Sequence, residues 1–144
     1  MRKLVAILAA AALCALAVTA VSLGASRGMG WSAKLTAAQE IPKQTVKNTR
    51  ATGAFHATLS GKKLKWTLTF SRLTGKATAA HIHLGAMGKS GNVVVPLCGP
   101  CKSPVSGTAT LSSALIRAEG KHLLYVNVHT VKNPAGEIRG QVTG

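Results

Sequence analysis

Aspartate is absent from the 144 residues of this chain, and Glu40, Glu119 and Glu137 are its only acids. That scarcity removes whole classes of chemistry. Paired-carboxylate glycoside hydrolysis, a Ser-His-Asp triad and oxygen-rich calcium or magnesium cages all lack their acids. Aromatic residues are nearly as scarce, at two Phe, two Trp and one Tyr. The stacking platforms that hold single-stranded nucleic acid are therefore missing, and no specific nucleic-acid partner is expected. Helical periodicity is lacking too, and beyond residue 30 there is no repeat, low-complexity tract or second composition regime. What remains is the length of one domain with a modest core.

One long apolar run is present, at the N-terminus. "MRKLVAILAAAALCALAVTAVSLGAS" places Arg2 and Lys3 before small apolar residues and ends in small ones. This is the layout of a secretory signal peptide over residues 1–25, with cleavage expected after Ala20 or Ala25 and a domain over residues 31–144. A secreted or extracytoplasmic location follows. The alternative is an uncleaved anchor, since Leu4 to Leu23 is long enough to span a bilayer, and only then is membrane association expected. Cys14 lies inside the run behind "AAL", not behind a small residue as a lipid-modified cysteine would. Lys and Arg number 18, for a net charge of +15, or +13 once Arg2 and Lys3 leave with the leader. The lysines are scattered over loops and strand edges, which reads as a solvated basic surface drawn to polyanions. Anionic cell-surface polymers or an extracellular protein are the expected partners of a monomer.

Alternation of period two dominates the rest. Strands are predicted at 32–37, 53–60, 63–70, 78–85, 92–97, 107–112, 122–130 and 136–143, with a short helical turn near 113–120. Only Gly61 and Lys62 separate the second and third runs, which makes them a tight hairpin. Eight short strands punctuated by Gly and Pro predict an all-β fold, a Greek-key β-sandwich or flattened barrel. Phe55, Leu64, Trp66, Leu68, Ala80, Ile82, Leu84, Leu124, Val126, Val128, Ile138 and Val142 are expected to point inward.

The same parity sends most of the histidines outward. His81 and His83 oppose Ile82, and His129 leaves its strand with Tyr125 and Asn127. Glu137, Arg139 and Gln141 also face out, as does His56 opposite Phe55 and Leu59. His122 starts its strand on the other parity, as a solvated edge residue. A lone outward histidine is an ordinary surface residue, but His-X-His places two imidazoles about 6–7 Å apart on one face. With a third from a neighbouring strand they make an open three-nitrogen site suited to copper, with zinc as second choice.

"LCGPC" repeats the C-G-P-C of thioredoxin, yet Pro104 and Gly107 interrupt any following helix and no βαβ unit surrounds it. Cys98 and Cys101 are expected to form a small structural disulfide in an exported chain. Glu40 is expected to cap or pair locally. Glu137 is open between pairing near Arg139 and orienting a histidine.

"LTAAQEIP" (35–42), "AHIHLGAMGKSGNVVVPLC" (80–98) and "YVNVHTVKNPAGEIRGQV" (125–142) resemble a CHRD domain, the module named after its repeats in chordin. The resemblance implies a secreted or periplasmic immunoglobulin-like β-sandwich and says little about activity. Chordin is an extracellular antagonist that binds signalling ligands, and nothing in this chain points to that partner. A second resemblance bears on chemistry. The order H-X-H, a later V-H strand and a glycine-flanked arginine is similar to Cu/Zn superoxide dismutases. That likeness matches His81, His83 and His129 to copper ligands and Arg139 to an arginine that guides a small anion, and so implies a copper-dependent oxidoreductase. His56 is a candidate fourth nitrogen. The dismutase's bridging histidine, zinc loop and zinc-ligand aspartate have no counterpart here.

Overall fold

The computed structural model describes residues 28–42 and 50–144. The leader and its cleavage sites fall on residues 1–27, outside the described residues. Eight strands follow in order: β1 (Met29–Thr36), β2 (Thr52–Ser60), β3 (Lys63–Ser71), β4 (Ala77–Leu84), β5 (Val93–Cys98), β6 (Val105–Thr110), β7 (Leu124–Thr130) and β8 (Ile138–Gln141). One short helix, α1 (Ser113–Glu119), separates β6 from β7, and Ser112 caps it by accepting a bond from Leu115 N. Each predicted strand is present with shifted ends, and the helical turn lies where it was expected.

The hairpin shows how pattern becomes structure. Gly61 has φ 58°, a left-handed value that costs glycine little, and Ser60 pairs with Lys63 directly across the turn. From there the register is unbroken, so Leu64, Trp66 and Leu68 meet Leu59, Ala57 and Phe55 on one face. All the pairs are antiparallel, in the order β5-β4-β7-β8-β1-β2-β3-β6. The result is an all-β, nearly closed eight-stranded barrel or sandwich.

Inside, Phe55, Leu64, Trp66, Leu68, Ala80, Ile82, Leu124, Val126, Val128, Ile138 and Val142 are all buried. Trp31, Leu35 and Leu111 complete the packing. Leu84 departs from expectation: it ends β4 and stays 41% exposed. His122 lies outside its expected strand, exposed at φ 54°, with β7 starting only at Leu124.

Gly107 shows how tightly the interior closes, because a Cβ there would stand 2.6 Å from Cζ2 of the buried Trp66. Trp66→Ala is expected to cost about 3–5 kcal/mol in urea unfolding, the usual range for an emptied aromatic core site. A loss below about 1 kcal/mol would show that this ring is not part of the core.

Candidate metal centre

The site begins with the β4–β7 register. Ala79 lies opposite His129, His81 opposite Asn127, and His83 opposite Tyr125. His81 and His129 are thus diagonal neighbours, and the small Ala79 leaves space between them. The ring centroids lie 5.6 Å apart for His81–His83, 5.0 Å for His81–His129 and 5.8 Å for His83–His129. One nitrogen from each ring lies within 4.8 Å of the others. Nitrogens around one ion at ~2.0–2.1 Å stand about 3.4 Å apart, so small side-chain rotations bring the set to bonding geometry.

Backbone carbonyls settle the tautomers. His83 Nδ1 is 3.0 Å from Gly91 O, and His129 Nδ1 is 3.0 Å from Pro134 O. A carbonyl can only accept, so both Nδ1 atoms carry hydrogen and both Nε2 atoms keep a lone pair. His83 Nε2 is buried and has no hydrogen-bond partner. His129 Nε2 lies 3.1 Å from His81 Nδ1, which donates to it. Moving the His81 proton to its own Nε2 frees a third lone pair without changing charge. Burial holds the pKa of His81, His83 and His129 below the usual imidazole value. Repulsion from neighbouring histidines adds to this at His81 and His83, as does Arg139 at His83. Three neutral imidazoles therefore face one point at neutral pH.

Each orienting carbonyl is itself held. Tyr125 Oη accepts from Gly91 N at 3.1 Å and donates to Gly91 O at 3.3 Å. Gly91 has no space for a side chain, since a Cβ would lie 1.6 Å from Leu84 O. On the other side, Glu137 fixes the turn that carries Pro134. Its carboxylate accepts from Thr74 N (2.6 Å), Thr74 Oγ1 (2.7 Å), Thr130 Oγ1 (2.7 Å) and Asn133 Nδ2 (3.1 Å). Burial pushes the Glu137 pKa up, but these bonds outweigh it and hold the carboxyl below its ordinary value. Glu137 thus anchors a loop; it neither pairs with Arg139 nor bonds a histidine.

A family model for the CHRD domain matches residues 31–142. The chain belongs to the CHRD domain family. No curated protein and no solved structure matches it significantly.

In this CHRD domain the side chains of β4, β7 and β8 that oppose the core do share one side of the sheet, but that side is not open to solvent. The 85–92 loop and the 37–42 segment cover the outer face of β4, β7 and β8, so Tyr125, Asn127 and Arg139 are buried, and Glu137 is buried among Thr74, Thr130 and Asn133. Arg139 donates to Ala86 O at 3.1 Å, and its guanidinium carbon lies 3.5 Å above the Tyr125 ring. His83 stacks on the same ring at 4.8 Å and 9°. Two groups that close cannot share one face, and β7 runs between β4 and β8, so Tyr125 separates Arg139 from His83. His56 is exposed on β2, which β8 and β1 separate from β7, and it is not in the cluster. His122 is also outside it. Cys98 and Cys101 form the disulfide, with Cα atoms 5.4 Å apart.

Glu40 does more than the local pairing expected of it. It is only 1% exposed and accepts from Asn127 Nδ2 at 3.1 and 3.0 Å, besides a bond from the backbone of its neighbour Ile41. No sequence pattern marks a partner so distant. Burial pushes its pKa up to about 7, against the opposing pull of Asn127 and Arg139. A carboxyl raised from 4.5 stabilises the fold below its unfolded pKa and loses that contribution as pH rises through about 7. Glu40→Gln, which cannot ionise, should therefore gain roughly 1 kcal/mol relative to wild type between pH 6 and 8. Urea denaturation at each pH measures it, and parallel curves for the two proteins would contradict it.

Proposed function

We propose that this protein is an exported CHRD module that binds copper through His81, His83 and His129. The observation that supports this most is the buried Nε2 of His83. It is a lone pair with no partner, beside two further imidazole nitrogens. A buried polar atom left unpaired is costly unless something completes it. An all-imidazole set without a carboxylate or thiolate suits copper, which also stands highest in affinity among the divalent first-row metals. Bound copper would supply one-electron chemistry toward small oxygen species. The residues of the chain do the rest. Gly91 O and Pro134 O hold two imidazoles in the ligating tautomer, and three ligands leave a coordination position open. Arg139 contributes a fixed positive field across the Tyr125 ring, attracting a small anion without touching the site. The charged-apolar-small order of residues 1–25 supports the exported location.

A second reading, that of a non-catalytic module on anionic polymers or a protein partner, draws on one specific observation. Glu40, Glu119 and Glu137 are all buried, so no acidic side chain is exposed to offset the lysines and arginines. Salt-sensitive retention on a polyanion fits this reading and is compatible with copper binding.

Copper titration with a competing chelator tests the first reading. His81→Ala, His83→Ala and His129→Ala should each weaken binding by about 100-fold or more, and His122→Ala by less than about threefold. Because protons compete for the same lone pairs and the three pKa values lie below 6.5, affinity should hold down to that pH and fall only on further acidification. Equal loss in all four variants, or affinity independent of pH, would contradict the assignment.

A further inference from the structure

An open cleft of about 860 Å³ lies between the β3–β4 connection and the segment entering β6. It shares no lining residue with the histidine centre. Phe70, Leu73, Pro104 and Val105 give it apolar walls, and the exposed Lys76 and Lys102 stand in its lining. No acid lines it.

Both walls are fixed before any ligand arrives. Glu137 holds Thr74, between Leu73 and Gly75, by its backbone N–H and its hydroxyl. The opposite wall is tied by the Cys98–Cys101 disulfide and by Cys101 N donating to Ala77 O at 3.1 Å. Phe70 N donates to Ser103 Oγ at 2.8 Å and joins the two. Arg72, also in the lining, has φ 57°, a left-handed value that a non-glycine residue keeps only where its surroundings impose it. A preformed apolar cleft of this size with a few convergent polar groups is the usual form of a small-molecule site.

We propose that this cleft binds a single-chain anionic amphiphile, a long-chain carboxylate. Its alkyl chain lies against Phe70, Leu73, Pro104 and Val105, and its carboxylate meets Lys76 and Lys102. The charge complementarity is one-sided, because every carboxylate side chain of the protein is buried and none competes for those ammonium groups. The two contributions differ in size. Each methylene buried is worth about fourfold in affinity, whereas an exposed lysine pair adds only a few-fold, so the chain sets the affinity and the charge sets the sign of the headgroup.

The experiment is titration of the intact mature protein with laurate below its micellar concentration, followed by calorimetry and by amide NMR. Saturation at one laurate per chain is expected, with shifts confined to residues 70–77 and 100–105. Octanoate should bind at least about 30-fold more weakly, and dodecyltrimethylammonium, which has the same chain and the opposite charge, still more weakly than laurate. Lys76→Gln with Lys102→Gln should cost about three- to tenfold, while Arg117→Gln with Lys121→Gln changes little. Leu73→Trp, which fills the cleft, should abolish binding. Several laurates per chain, equal loss in both double variants, or shifts spread over the surface would mean adsorption to a basic surface and would overturn the proposal. Binding to anionic vesicles without binding of free laurate would overturn it in favour of a membrane-docking face. The shift map needs no variant, so the proposal stays falsifiable if Leu73→Trp does not fold.

Discussion

The register between β4 and β7 is the constraint on which the candidate site rests. Ile82 pairs with Val126 and Ala80 with Val128, and these four side chains are wholly or almost wholly removed from solvent. A slip of one residue would turn that apolar set outward and drive His81 and His83 into the core, at a cost of several buried side chains. The hydrophobic effect therefore sets the positions of the imidazoles, although no imidazole contributes to it. The same pairing places Asn127 between His81 and Arg139, and Tyr125 between His83 and Gln141.

A second layer stands on that register, and the few acids build it. Glu40 crosses the chain to Asn127 and holds the 37–42 segment over the outer face. Glu137 gathers Thr74, Thr130 and Asn133 and so fixes the turn that brings Pro134 O to His129. Their pKa values move in opposite directions for one reason: burial raises both, and only Glu137 receives enough donors to reverse it. With these carboxylates and Glu119 all inside, the basic character of the composition becomes a property of the whole described surface.

Much of this was readable from period two alone. The strands, the hairpin at Gly61, the core face and the shared side of His81, His83 and His129 all follow from alternation, which is local. The covering of that side was not readable. It depends on Arg139 meeting Ala86, His83 meeting Gly91 and Glu40 meeting Asn127, contacts between loops and strands far apart in the chain. Parity distinguishes one face of a strand from the other, but it does not say whether water or a loop lies beyond. For that reason Arg139 was expected at the surface and lies 3% exposed against a tyrosine. His56 had the right parity on the wrong strand, and Leu84 had the core parity at a strand end where the core stops. The CHRD resemblance agrees with the family model over residues 31–142, and its motifs include the Gly91, Tyr125 and Pro134 positions without indicating that they orient imidazoles.

X-ray absorption on the protein titrated with copper decides whether His81, His83 and His129 act as ligands, because it reads the metal's neighbours without relying on activity. Three imidazole nitrogens at about 2.0 Å with multiple-scattering features of histidine are expected, with one such ligand lost in His83→Ala. A first shell dominated by sulfur or by water oxygen, or a spectrum unchanged in His83→Ala, would contradict that ligand set.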